Sequence, residues 1–379
     1  MYDYKGADSL VTAQAASAAA LFFHKEADQM VRELNIDGRI VNDDSDCFVI
    51  AEIGHNHQGD LKKALDMVKA AKECGADAVK FQKRDNMSLY THAMFDSPYV
   101  SENAYGPTYG THREALEFGK SEYMELQSYA VELGITLFAT AFDFKSADFL
   151  EDLGMPLYKM ASADLTNIPL LKYVAQAGKP MIISTGGATT EDVLRAMDVI
   201  TPINERVAIL QCTASYPAEP EEMDLRVVQT FRDLFPEHVI GLSDHQNGIA
   251  MGLAAYVLGA RIIEKHFTLN RAWKGTDQAF SLEPGGLRRL VRDLQRAHAA
   301  FGDGVKKQYP SEAPGLLKMR KKLVAAADLS IGHILSIDDV ALKSPGDGLA
   351  PSQLGDIVGR SLTQGLKADE DITLAVLSG

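Results

Sequence analysis

Eight short apolar runs recur along the chain between residues 48 and 266. They cover residues 48–53, 77–82, 135–140, 156–161, 180–184, 206–212, 238–243 and 260–266. Stretches of helical periodicity lie between them, near 60–74, 121–133, 145–153, 168–177, 190–201, 224–235 and 247–259, with a last one near 284–301. Short buried strands alternating with amphipathic helices make parallel βα units. Eight of them predict an α/β fold closed into a (β/α)8 TIM barrel, with a doubly wound open sheet as the alternative. The punctuation agrees: Gly75, Gly134, Gly178 and Gly259 follow helices where C-terminal caps belong. Thr190-Glu191-Asp192 loads a helix start with carboxylates, as the helix dipole favours.

Nearly every run ends in a residue able to do chemistry. These are Glu52, Lys80 with Gln82, Thr140, Lys159 with Ser162, Ser184, Thr213, Ser243 with His245, and Lys265 with His266. A barrel collects its active site at the C-terminal ends of its strands, so fold and site are read together.

The chain has 379 residues, enough for one large domain and a small one. A net charge of -14 argues against nucleic-acid or anionic-membrane partners. A local cluster of lysines can still receive an anionic substrate. Three cysteines without CxxC spacing suggest reduced thiols and a cytoplasmic protein. No run approaches the roughly 18 apolar residues a membrane span needs. Residues 1–45 read as a helical N-terminal extension. Its apolar part, 15–23, lacks the basic flank of a signal peptide. The barrel is expected over 46–301, a Gly- and Pro-rich linker over 302–320, and a compact unit of short β-like runs over 321–379. The long connection 83–120, rich in Tyr, Gly, Pro and His, reads as a lid or binding loop, or as a partly ordered excursion.

His245 and His266 close consecutive strands, about 4.8 Å apart in a barrel. They could share a divalent metal such as Mn²⁺ or Mg²⁺, or be hydrogen-bonded and metal-free. Lys80 and Lys159 in buried strands are costly unless paired. Facing one cavity they would bind phosphate or carboxylate, with Thr140, Ser162, Ser184 and Ser243 adding hydroxyl donors. The alternative is outward snorkelling. Glu52 is a candidate general base or the ion-pair partner of a lysine.

Several of these residues fall in longer motifs: Ala51-Glu52-Ile53-Gly54-His55-Asn56-His57-Gln58-Gly59, Lys80-Phe81-Gln82-Lys83, Tyr158-Lys159-Met160-Ala161-Ser162, Gly241-Leu242-Ser243-Asp244-His245 and Glu264-Lys265-His266-Phe267-Thr268. In this order they resemble the sialic acid synthase family. Lys343-Ser344-Pro345-Gly346-Asp347-Gly348 and Val358-Gly359-Arg360 resemble that family's small β-rich antifreeze-like (SAF) domain. The resemblance spans about residues 45–379.

It implies condensation of phosphoenolpyruvate with an N-acylated hexose, N-acetylmannosamine by default, releasing phosphate. His245 and His266 would hold Mn²⁺ or Mg²⁺. Lys80, Thr140, Lys159, Ser162, Ser184 and Ser243 would hold phosphoenolpyruvate. Glu52 would help water add at C2, and Asp164, Tyr216 and Asp277 would face the sugar. A domain-swapped homodimer is also implied. Three positions depart from the bacterial N-acetylneuraminate synthases: Ser344 stands where they carry Arg, Ala214 where they carry Asn, and Asp164 where they often carry Glu. Four other stretches look more like the animal-type enzymes, which use the 6-phosphorylated sugar: residues 71–77, 105–113, 211–217 and 273–277. Arg113, Lys83 and Lys274 are then candidate phosphate ligands, or else solvated loop charges. Legionaminate-type or deaminated products are further possibilities.

Overall fold

The computed structural model describes residues 32–378. Eight parallel strands close into a barrel: β3 (Phe48–Gly54), β4 (Ala78–Lys83), β5 (Thr136–Ala141), β6 (Tyr158–Met160), β7 (Met181–Ser184), β8 (Val207–Cys212), β9 (Val239–Asp244) and β10 (Ile262–His266). Each pairs with its sequence neighbours, and β10 returns to pair with β3. The expected helices appear between them, from Leu61–Glu73 to Pro284–Ala300. Their apolar faces and the outward strand residues, such as Met67, Leu126, Val193 and Leu290, form the larger core.

The first described residues correct the expectation of a helical extension. A hairpin, β1 (Glu33–Ile36) and β2 (Arg39–Asn42), occupies this part, while residues 1–31 lie outside the described residues. Its turn is Asp37-Gly38, both with positive φ, 51° and 87°. That backbone suits a two-residue hairpin turn. Leu34, Ile36 and Val41 are fully buried in one cluster with the inward residues Phe48, Ile50, Phe138, Leu157, Ile182 and Ile262. The hairpin thus plugs the N-terminal end of the barrel. Asp43, just beyond it, accepts from Arg32 at 2.6 Å and from Arg232 at 2.7 Å. Arg39 bridges to Asp77 and, at 2.8 Å, to Asp46.

The connection after β4 is built, not structureless. It carries short helices at Asn86–Leu89, His92–Phe95 and Tyr109–Glu114. Tyr90 and Tyr99 pack edge-on against Tyr109, 5.1 and 5.5 Å between ring centres. The Tyr105 hydroxyl donates to Lys274 O at 2.7 Å.

The second compact unit begins at Gly302. The stretch read as a linker contains a helix, Ala313–Met319. Strands β11 (Lys322–Ala325) and β12 (Val340–Lys343) pair antiparallel over a small core that includes Leu323, Leu335, Ile357, Leu362 and Ile372.

Candidate active site

Strand alternation sorts the polar residues. On β4, Lys80 and Gln82 point inward; on β10, Glu264 and His266 do, and Lys265 between them turns outward. Lys265 is buried there against Asp244, 2.8 Å away. The inward groups line a cavity of about 510 Å³ at the C-terminal end of the barrel. Eleven of the twelve expected site residues border it: Glu52, Lys80, Thr140, Lys159, Ser162, Ser184, Tyr216, Ser243, His245, His266 and Asp277. Asp164 does not. It lies nearby in a 3-10 turn, accepting a 3.3 Å bond from Asn167.

The floor of the cavity is a buried charge layer. Lys80 Nζ sits 2.7 Å from Glu52 and 3.6 Å from Glu264, and donates to Thr140 Oγ1 at 2.7 Å. Lys159 Nζ donates to Ser184 Oγ and lies 4.0 Å from Glu264. Burial alone would lower the Lys80 pKa, but Glu264 and Glu52 outweigh it and raise it. For Lys159 burial wins over Glu264 and lowers it. Burial would raise the Glu264 pKa, yet the two lysines hold it below the usual carboxylate range. Gln82 Nε2 donates to the other Glu52 oxygen at 2.6 Å. Gly54 makes room for this: a Cβ there would stand 2.9 Å from Glu52 Oε1, and its φ of +53° also favours glycine.

The imidazoles of His245 and His266 lie 5.4 Å apart, centre to centre, with Tyr216 tilted over His245 at 4.1 Å. His245 Nδ1 is 2.8 Å from the Thr213 carbonyl. A carbonyl only accepts, so Nδ1 carries the proton and Nε2 keeps its lone pair. Burial, then His266, pushes the His245 pKa down to about 3. His266 Nδ1 and Glu264 Oε2 are buried without a hydrogen-bond partner. A neutral imidazole with a fixed tautomer beside an orphaned ring nitrogen suits a divalent ion. Among the described residues no group of three His, Cys, Asp or Glu side chains forms a complete metal cage. Further ligands would come from substrate and water.

Several lining residues escape a reading confined to strand ends: Glu264, Arg84 and Thr276. Glu264 is two residues before His266, so period-two alternation places it on the same face. Arg84 continues the Lys80, Gln82 series in the same way. Of the three candidate phosphate ligands, Arg113 reaches the cavity. Lys83 instead pairs with Glu117 at 3.1 Å, and Lys274 bonds to the Ala104 carbonyl. Ser344, in the second unit, accepts a 2.7 Å bond from Lys321.

Fold and site together define a (β/α)8-barrel enzyme with an appended small β-rich domain. The NeuB family model matches residues 67–306, and the SAF domain model matches 320–377. The chain belongs to the NeuB family. It is 40% identical over 336 residues to an N-acetylneuraminate-9-phosphate synthase of Homo sapiens, covering 88% of this chain and 94% of that one. It is 38% identical to an N,N'-diacetyllegionaminic acid synthase of Legionella pneumophila, covering 85% and 92%. A crystal structure of an N-acetylneuraminic acid synthetase from Leptospira borgpetersenii superposes with a TM-score of 0.66 at 31% identity, over 76% of this chain and 97% of that one.

Proposed function

We propose that this protein is a nonulosonate synthase that joins phosphoenolpyruvate to N-acetylmannosamine, giving N-acetylneuraminate and phosphate. One observation carries the reading: a buried layer of two lysines and two glutamates shares its cavity with two adjacent imidazoles. Lys80 and Lys159 hold the phosphate and carboxylate of phosphoenolpyruvate through charge-assisted hydrogen bonds. Thr140, Ser162, Ser184 and Ser243 complete the cradle. The incoming anion competes with Glu52 for Lys80 and so frees one Glu52 oxygen. C3 of the enol attacks the open-chain aldehyde of the sugar, and the aldehyde oxygen takes up a proton. Glu52 then accepts a proton from the water that adds at C2, and the tetrahedral product expels phosphate to leave the ketone. His245 and His266 would hold a divalent ion, Mn²⁺ or Mg²⁺, which when bound would polarise the aldehyde. Tyr216 and Asp277 face the sugar.

A second reading uses the 6-phosphorylated sugar and forms the 9-phosphate. Arg113 in the cavity lining favours it, as does the 40% identity to a 9-phosphate synthase. A homodimer is part of the proposal and is tested by light scattering. The reaction is tested by phosphate release from phosphoenolpyruvate with Mn²⁺ and either N-acetylmannosamine or its 6-phosphate. Release with one of them supports the synthase, and release with neither removes this sugar skeleton from the reading.

A further inference from the structure

We propose that Asn56 and Gln278 are positioning residues that brace the wall carrying His266 and Asp277 against the strand end carrying Glu52. The inference rests on the synthase reading above. It concerns two side chains that lie behind the cavity wall rather than in its lining.

The brace begins where β3 leaves the barrel. The register of β10 on β3 ends with His266 opposite Glu52. One residue further, the Phe267 N–H still donates to the Glu52 carbonyl at 2.8 Å. β3 then ends at Gly54, whose φ is +53°. The Phe267 carbonyl takes its bond from a side chain, Asn56 Nδ2, at 2.9 Å. An amide here stands in for a strand N–H, so a buried carbonyl is satisfied and the two strand ends stay joined past the last backbone rung.

The same Nδ2 donates to Ser281 Oγ at 2.9 Å, and the Asn56 carbonyl accepts from Gln278 Nε2 at 2.9 Å. Gln278 Oε1 accepts in turn from Thr268 Oγ1, and Ser281 Oγ donates to the Asp277 carbonyl, both at 2.5 Å. The Leu282 N–H donates to the His266 carbonyl at 2.8 Å, and the Thr268 N–H donates to the Leu282 carbonyl at 2.9 Å. Asn56, Thr268, Gln278 and Ser281 are each at most 2% exposed. A bond lost at that depth leaves its partner without water to replace it.

The network holds the segment from Asp277 to Leu282, and that segment backs the imidazoles. Asp277 stands 3.7 Å from His266 Nδ1. The Phe280 ring lies 5.0 Å from His266, 5.6 Å from Tyr216 and 6.4 Å from His245, centre to centre. These ring contacts set a distance, but the short, directional hydrogen bonds of the two amides set the position of the segment that makes them. The separation and orientation of two imidazoles decide how well they hold a divalent ion, and partners outside the ligand set fix both. Because Asn56 follows Glu52 by four residues on the same turn, one brace orients the base and the imidazoles together.

The test measures Mn²⁺ affinity by electron paramagnetic resonance, kcat and Tm for the wild type, Asn56→Ala, Gln278→Ala and Asn204→Ala. Asn204 is the control: a buried amide of the same kind, donating to the Lys179 carbonyl at 2.7 Å, just before β8 at the opposite end of the barrel. Asn56→Ala and Gln278→Ala should each weaken Mn²⁺ binding and lower kcat, by about 10- to 100-fold. Asn204→Ala should lower Tm alone. Unchanged Mn²⁺ affinity in both brace variants, or an equal loss in Asn204→Ala, overturns the proposal. Should Asn56→Ala fail to fold, Gln278→Ala decides it, since that variant leaves the bond from Asn56 to Phe267 in place. A wild type that binds Mn²⁺ yet releases no phosphate with either sugar defeats the synthase reading, and the affinities still judge the brace. A wild type that binds no Mn²⁺ overturns the brace.

Discussion

Lys80 and Glu52 form an ion pair of 2.7 Å with both side chains almost wholly out of solvent, 4% and 1% exposed. The pair sits in the floor of the cavity, where solvent cannot screen either charge, and Glu264 lies within 3.6 Å of the same ammonium.

Removing one partner should therefore cost more than removing two. Lys80→Met leaves two carboxylates against Lys159 alone and should destabilise the barrel by about 3 kcal/mol. Adding Glu52→Gln should recover part of this. Urea unfolding of the single and double variants measures both. Equal stability of the two would show that the pair does not share its charge.

The imidazole pair makes a prediction about metal. His266→Ala should abolish turnover and also weaken Mn²⁺ binding measured by electron paramagnetic resonance. Chelation of the wild type should stop phosphate release, and Mn²⁺ or Mg²⁺ should restore it. Turnover that survives both treatments would rule out the metal reading.

His57 carries a pH signature. It is buried, stacked 4.1 Å from Phe118, and its Nδ1 accepts from the Gly59 N–H at 3.1 Å. Burial, then His55, lowers its pKa to about 3. The unfolded chain titrates near 6.5. Between these values the unfolded state binds the extra proton, so stability is full above about 6.5 and falls as the pH drops. The slope from this group is at most about 1.4 kcal/mol per pH unit. His57→Phe should reduce the slope of denaturation free energy between pH 4 and 6.5, whereas an unchanged slope would assign the proton uptake to other groups.

Gly54→Ala should damage catalysis more than folding. The new Cβ would press on Glu52 Oε1 at 2.9 Å, and the positive φ adds strain of about 1–2 kcal/mol. A displaced Glu52 should lower kcat about 100-fold, read against the change in melting temperature.

Ile36→Ala should cost about 2–5 kcal/mol, because Ile36 is fully buried in the plug. Thermal unfolding measures it, and a loss near zero would mean that the barrel bottom does not depend on the hairpin.

The eight strands were legible because each is an apolar run set off by a periodic helix, and backbone pairing then leaves little choice of topology. Most of the cavity lining was legible for the same reason, since polar residues at run ends have few other places to go. Strand parity was the weak point. Lys265 and His266 both looked like site residues, yet one register step sends Lys265 to Asp244 and brings Glu264 inward instead. Arg84 lies one residue beyond the strand, where alternation continues without the apolar signal. The hairpin has its own sign in the sequence: Asp37-Gly38 sits between Leu34, Ile36 and Val41, alternating residues around a two-residue turn. The small, Ala-rich stretch before it carries the composition of a helix and masks that sign.

The hairpin also imposes an order on assembly. Its seat is walled by the first and the last strand of the barrel, Phe48 and Ile50 of β3 and Ile262 of β10 among them. The seat is complete only when β10 has closed on β3. The first described element of the chain thus owes its burial to the last strand of the barrel, and Leu34, Ile36 and Val41 have their full set of apolar neighbours only in the closed ring.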